Sequence, residues 1–141
     1  MLESLPYPLH PIVVHFPIAL FITAFLFELS GLLLRKEILH QTAIMLYVLA
    51  ALIAPLVVRT GHWEAGRLDL NHPVLDKHSL FAAWLMWVSL MSLPLLWLLY
   101  KKNPKIFRIC FVLFAICAVV LITFTGHYGG RMVYEYGVGT G

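Results

Sequence analysis

Four long apolar segments constrain the fold of this chain more than any other feature of its sequence. They cover about residues 12–34, 41–58, 79–100 and 106–125. Each comes near the ~20 residues that a helix needs to cross the hydrocarbon core of a bilayer. A segment surrounded by lipid has to satisfy its own backbone hydrogen bonds, so each one is predicted to be an α-helix. The sequence therefore predicts an all-α transmembrane four-helix bundle, with a longer loop over residues 59–77.

The composition agrees with a membrane protein and excludes a soluble one. Of the 141 residues, 61% are hydrophobic and 12% are charged, whereas about 25% of the residues in a soluble domain are charged. The chain is short enough to form one domain over residues 1–141. Its basic residues lie at the ends of the apolar segments and form no surface stripe, so no nucleic-acid partner is expected.

The distribution of lysine and arginine predicts the orientation of the bundle. Cytoplasmic loops of membrane proteins carry an excess of these residues. The two short turns and the helix start beside them carry six, and the opposite side carries four. The short turns are therefore expected to face the cytoplasm and both termini the outer side. The six are Arg35, Lys36, Lys101, Lys102, Lys105 and Arg108; the four are Arg59, Arg67, Lys77 and Arg131.

Two short motifs occur twice. Thr-Gly-His is found at 60–62 and 125–127, and His-Pro followed by a second histidine is found at 10–15 and 72–78. The corresponding histidines are 62, 63 and 65 positions apart. We therefore predict two tandem two-helix repeats, about 10–67 and 72–131. Two helices in each half make both halves enter the membrane in the same sense, related by a pseudo-twofold axis along the membrane normal.

Six of the seven histidines are predicted to lie at the outer face. Amphipathic side chains such as histidine favour the level of the lipid headgroups, but this preference would place histidines at both faces of the membrane. The one-sided distribution and the repeated spacing therefore favour a ligand-binding role. The outer histidines are His10, His15, His62, His72, His78 and His127, whereas His40 is predicted on the cytoplasmic side.

A b-type haem or another metal fits such a set of histidines. Neutral imidazole binds iron, copper and zinc, and facing helices of a bundle can present two imidazoles to one haem. Four histidines at helix ends are the axial candidates, for one or two haems, with copper or zinc as the alternative. Repeat symmetry pairs the first with the third and the second with the fourth, although the sequence leaves the axial pairing open. They are His15, His62, His78 and His127, with His10 and His72 as secondary candidates.

Four further residues are candidate cofactor contacts. Arg59 and Arg131 lie where haem propionates would project, and guanidinium groups suit carboxylates. Gly126 and Gly130 would let a porphyrin approach the backbone closely. The alternatives, arginines reaching to the interface and glycines that end helices, remain open.

One acid, Glu28, lies well inside a predicted span. Intramembrane acids are functional candidates. Glu28 could instead reach the nearby interface, or hydrogen-bond in its protonated form to a neighbouring helix.

The segments at 10–20 and 126–139 carry a family resemblance. They read HPIVVHFPIAL and GHYGGRMVYEYGVG, and they resemble the motifs HPxxVHFPIAL and GHxGGxLVYxxGVG. These motifs identify an uncharacterised family of small bacterial four-helix membrane proteins, domain of unknown function 2231, over essentially the whole chain. The resemblance implies a multi-pass protein of the bacterial inner membrane. Members are sometimes joined to c-type cytochrome domains, which implies a redox setting.

The predicted function is that of a membrane-embedded, cytochrome b-like subunit with its haem near the outer face. It would pass electrons between a donor or acceptor in the membrane, such as another redox subunit or a quinone, and an extracytoplasmic carrier such as a c-type cytochrome. Electron transfer requires positioning more than acid–base chemistry, so we expect an electron-transfer subunit and not a stand-alone enzyme. Two alternatives stay open: a structural subunit that holds lipid or pigment in a respiratory or photosynthetic complex, and a histidine-based metal-binding protein.

Overall fold

The computed structural model describes residues 9–67, 69 and 71–138. Over these residues the chain forms four α-helices: α1 (Leu9–Leu34), α2 (Glu37–Arg67), α3 (Pro73–Lys102) and α4 (Pro104–Tyr134). All four are long and apolar enough to cross a membrane. The predicted all-α transmembrane four-helix fold is confirmed. Residues 1–8 and 139–141 lie outside the described residues, and the side on which the termini lie stays a prediction.

The helices extend beyond the apolar segments from which they were predicted. Helix α2 continues to Arg67 and α3 begins at Pro73, so the loop expected over 59–77 is wrong for most of its length. Proline at the first position suits a helix start because its missing N–H would have had no partner there. The His72 side chain caps α3 by accepting a hydrogen bond from Val74 N at 3.2 Å. Asn103 caps α4 in the same way through Ile106 N at 3.2 Å.

The four helices form two antiparallel hairpins. Helix α1 packs closely on α2, and α3 packs closely on α4, whereas the helices of different hairpins make much sparser contact. Both hairpins point in the same direction, because His10 at the start of α1 contacts His78 near the start of α3. Helices α1 and α3 each pack against both α2 and α4, so they lie diagonally across the bundle.

Buried positions recur along the two hairpins at a spacing of 68 residues. Phe21 and Ser89, for example, are both 1% exposed, and positions 21 and 89 are 68 apart. This spacing differs from the 62 to 65 of the sequence motifs, and the limits of the predicted repeats stay a prediction. Six further pairs at this spacing are buried in both members: Ala24 with Ser92, Glu28 with Leu96, Ala43 with Phe111, Tyr47 with Ala115, Ala50 with Ala118, and Ala54 with Ile122.

Small side chains fill the closest helix contacts. Ala24, Ala43, Ala50 and Ala51 are all 0% exposed. Small residues are typical of contacts between membrane helices, because lipid gives no hydrophobic drive and close backbone approach supplies the packing energy. At the centre of the bundle the Tyr47 hydroxyl lies 3.1 Å from Ser92 Oγ and joins α2 to α3.

A larger side chain at one of these contacts is expected to destabilise the bundle. Ala50→Leu should lower the free energy of unfolding by about 1–3 kcal/mol, because extra methylenes must push packed helices apart. Leu52 on the same helix is 60% exposed, so Leu52→Ala should change that energy by less than about 0.5 kcal/mol. Unfolding in increasing concentrations of a denaturing detergent measures the change for each variant. Equal losses in the two variants would show that α2 does not pack through this face.

Candidate functional site

Two histidines from different hairpins face each other at the end of the bundle opposite the two short turns. The ring centroids of His10 and His78 are 6.2 Å apart, and the ring planes are almost perpendicular, at 89°. Both side chains are half-buried. Since α1 and α3 are diagonal, the pair lies across the middle of the bundle.

Each of these rings is held by the other helix of its own hairpin. His10 Nδ1–H donates to the Val57 carbonyl at 3.2 Å, and His78 Nδ1–H donates to the Thr125 carbonyl at 2.9 Å. Both bonds join residues 47 positions apart, so the two hairpins make the same contact. Because Nδ1 carries the proton, Nε2 keeps a lone pair available to a ligand.

A glycine lies against each ring. A Cβ atom at Gly61 would be 3.0 Å from His10 Cε1, and one at Gly129 would be 3.2 Å from His78 Nδ1. By contrast, no atom lies within 4 Å of a Cβ placed at Gly126 or Gly130. All four glycines lie inside helices, so the alternative that they end helices is wrong. The glycines that make room for the histidines are therefore Gly61 and Gly129, and not Gly126 and Gly130.

These contacts predict opposite effects of alanine at two pairs of glycines. Gly61→Ala and Gly129→Ala should displace the histidine rings and weaken binding of any ligand that needs both. In Gly126→Ala and Gly130→Ala the added methyl group lies in open space. These two variants should stabilise α4 by up to about 1 kcal/mol, because alanine is the better helix former. Thermal unfolding together with nitrogen-15 spectra of the histidines would measure both effects. Unchanged His10 and His78 resonances in the first pair would contradict the contact.

Glu64 supports the pair and was missed by sequence reasoning. It is 9% exposed, and its Oε2 accepts a hydrogen bond from the His10 backbone N–H at 3.1 Å. A carboxylate suits this position because the first N–H groups of a helix have no partner within the helix. Val57, Gly61 and Glu64 are spaced so that they lie on one face of a helix. Once α2 is extended to Arg67, this spacing predicts that Glu64 is on the same face as the other two residues that contact His10.

Three of the four axial candidates lie elsewhere. His15 and His62 are exposed, and each Nδ1 bonds to a carbonyl one turn earlier in its own helix. His127 is exposed, with its ring edge against Tyr128. Within the described ranges, none of the three makes a ring contact with another histidine. The structure thus brings His78 together with His10 and not with His15.

The remaining candidates have structural partners or face outward. His72 caps α3, and its ring centroid is 4.2 Å from that of Tyr136. Arg131 forms an ion pair with Glu135 at 2.7 Å, and this hydrogen-bonded guanidinium holds the pKa of the Glu135 carboxyl below its usual value. Arg59 is exposed. Contact of either arginine with a propionate stays a prediction.

The part of the chain that the structure describes brings together no group of three or more His, Cys, Asp or Glu side chains able to hold a metal ion. Structural zinc sites need four protein ligands and catalytic ones three. A haem iron differs, because the porphyrin supplies four nitrogens and the protein needs to supply at most two. Two histidines are the number of protein ligands that a haem iron would need.

Comparison with known proteins places the chain in a family. The model of the family described as predicted membrane protein, DUF2231, matches residues 6–141. The chain belongs to the DUF2231 family. No curated protein and no solved structure matches it. The resemblance expected from the two motifs is thus confirmed, and the DUF2231 description establishes a membrane protein without giving a reaction.

This DUF2231 protein has a second polar cluster at the end of the bundle that carries the short turns. Glu28 and His40 are 1% and 5% exposed, and His40 Nδ1 is hydrogen-bonded to Glu28 Oε2. Arg108 Nε lies 3.6 Å from Glu28 Oε1, and Arg108 also approaches Glu37 at 3.7 Å. Glu28 thus bonds to a neighbouring helix and does not reach the interface. Sequence reasoning had given His40 no partner.

Proposed function

We propose that this DUF2231 protein binds one b-type haem between His10 and His78 and uses it to carry single electrons. The geometry of the two rings is the observation that supports this most. The ring centroids are 6.2 Å apart and the ring planes are almost perpendicular, at 89°. His10 and His78 would each supply one imidazole nitrogen to the haem iron.

The hydrogen bonds of the pair also suit axial ligands. A metal-binding histidine almost always donates its other ring N–H to a carbonyl or carboxylate, which fixes the tautomer and the ring orientation. His10 and His78 make this bond to Val57 and Thr125. Both acceptors are backbone atoms of rigid helices, so the two rings are oriented in advance.

The surrounding packing favours a flat ligand between the hairpins. Contact between hairpins is sparse, whereas contact within each hairpin is close. A macrocycle at the end of the bundle could therefore enter without separating α1 from α2 or α3 from α4. One facing pair supports one haem, where the sequence had left the number at one or two.

The location suits electron transfer. A bound haem supplies reversible one-electron chemistry, and the protein supplies its position and electrostatic surroundings. The rings are half-buried near helix ends, which supports a site near the membrane surface that a carrier outside the lipid would reach. A c-type cytochrome on that side, and a quinone or redox subunit in the membrane, are the partners that we propose. This position favours an electron-transfer subunit over a stand-alone enzyme in the bacterial inner membrane.

Haem content tests this proposal. The protein purified from membranes of cells supplied with haem precursor should carry about one non-covalent haem per chain, with a reduced-minus-oxidised band typical of low-spin b haem. Protein obtained without haem should take up haemin to the same ratio. A colourless protein that takes up no haemin would contradict the proposal. Bound copper or zinc would then favour a metal-binding role. A protein that contains neither metal would favour a structural role.

A further inference from the structure

The cluster of Glu28, His40 and Arg108 lies at the opposite end of the bundle from the histidine pair and has no part in the proposed electron transfer. We propose that it is a proton-binding site, in which the Glu28–His40 pair takes up and releases one proton. Exchange takes place on the side of the membrane that the two short turns face. The supporting observations are the burial of the pair, its unpaired atoms, the charge of the cluster and its route to solvent.

The pair is buried without full hydrogen bonding. Glu28 Oε2 is bonded to His40 Nδ1, but Glu28 Oε1 and Arg108 Nε are buried and have no hydrogen-bond partner among the described residues. They lie 3.6 Å apart, beyond the normal range of a hydrogen bond. A buried polar atom without a partner costs stability. The free oxygen of a buried carboxylate is thus aimed into the cluster, where protonation can relieve its charge.

The charges of the cluster change by one unit with a single proton. Glu28 and Glu37 are two carboxylates, and Arg108 is one permanent cation. With neutral His40 the net charge is −1, and with one added proton it is zero. The proton goes to His40 Nε2 or to Glu28 Oε1, and the bond between Nδ1 and Oε2 is kept in both cases. Imidazole is the side chain that exchanges protons near neutral pH.

Every packed helix contributes to the surroundings of the pair. Helix α1 supplies Glu28, α2 supplies His40 and Glu37, and α4 supplies Arg108. The rings of Phe107 and Phe111 lie edge-on to His40, and the α3 residue Tyr100 packs against Phe107.

A polar route joins the pair to solvent. The Arg108 side chain is 35% exposed and the Glu37 side chain 62% exposed, so Arg108 spans from the buried carboxylate to the surface. Position 28 is 18 residues from position 10 along α1, which corresponds to about 27 Å of helix. The proton site is therefore separate from the histidine pair, and either can fail without the other.

Proton uptake can be followed directly in the detergent-solubilised protein. Nitrogen-15 spectra of histidine and the infrared carboxyl region are recorded between about pH 5 and 9, with His40→Gln and Glu28→Gln to assign the signals. We expect one titrating transition that is absent from both variants. If neither variant folds, Arg108→Gln supplies the assignment. Loss of the guanidinium should change this transition, because Arg108 Nε lies 3.6 Å from Glu28 Oε1.

Lys105→Gln is the matched control. Lys105 is an exposed cation one turn before Arg108 on α4, and its removal should leave the midpoint almost unchanged. Spectra of His40 and Glu28 that stay constant across the whole range would overturn the proposal and leave a purely structural ion pair. An equal shift in both variants would also overturn it, because the effect would then come from general surface charge.

Discussion

His78→Ala is expected to abolish the low-spin haem spectrum that we propose for the purified protein, and His10→Ala is expected to do the same. Each variant removes one of two facing imidazoles whose centroids are 6.2 Å apart. The remaining ring can supply only one axial ligand, so any haem retained should be high-spin and should dissociate more readily. Visible spectra and haem content of the purified variants measure the effect.

The exposed histidines provide matched controls. His15 is on the same helix as His10, and His127 is at the same end of the bundle, yet both are exposed. His15→Ala and His127→Ala should keep the wild-type spectrum and haem content. If these two variants lose the haem while His10→Ala keeps it, the axial set predicted from the sequence would replace the one favoured by the structure.

Breaking the buried pair at the other end is expected to give the largest loss of stability. His40→Leu leaves the Glu28 carboxylate, which is 1% exposed, without its hydrogen-bonded partner. Removal of one member of a buried pair costs about 3–5 kcal/mol, because the other charge remains buried. Unfolding by denaturing detergent should therefore show a loss of this size.

The double variant Glu28→Met with His40→Leu tests the cause. Replacement of both partners by apolar groups leaves no unpaired charge in the pair, so it should restore much of the lost stability. His62→Leu changes an exposed histidine of the same helix and should cost less than about 0.5 kcal/mol. Additive losses in the double variant would show that Glu28 and His40 are not coupled.

The fold was predictable from the sequence because lipid imposes a simple requirement. Four apolar segments of about membrane-spanning length had to be helices, and they are. The helix ends were not predictable in the same way. Residues 59–67 are polar enough to resemble a loop, but a helix can continue past the lipid as long as its backbone hydrogen bonds continue. Apolar length thus identifies the part of a helix in lipid and not the whole helix.

The histidine pairing could be predicted only in part. The repeated Thr-Gly-His motif aligns Gly61 with Gly126, whereas the contacts with histidine make Gly61 equivalent to Gly129. The two alignments differ by three residues, which is nearly one helical turn. Both therefore place similar residues on similar helix faces, and sequence similarity alone cannot choose between them. The contacts choose the second alignment, and it brings His10 to His78.

The partner of Glu28 left a weaker signal. Glu28 and His40 are 12 positions apart on either side of a short turn, so an antiparallel hairpin brings them near each other. Which neighbouring side chain bonds to Glu28 depends on helix rotation, which the uniformly apolar sequence around it does not determine. The sequence pattern alone therefore predicted no function for His40, the one histidine expected on the cytoplasmic side.

The electron paramagnetic resonance spectrum of the oxidised, haem-loaded protein tests the central claim most directly. Two axial imidazoles held almost perpendicular, at 89° as in the His10–His78 pair, should give a low-spin ferric signal of the highly anisotropic type. The same signal should disappear in His10→Ala. A high-spin signal, a low-spin signal unchanged in His10→Ala, or the absence of any ferric haem signal would contradict a haem bound between these two histidines.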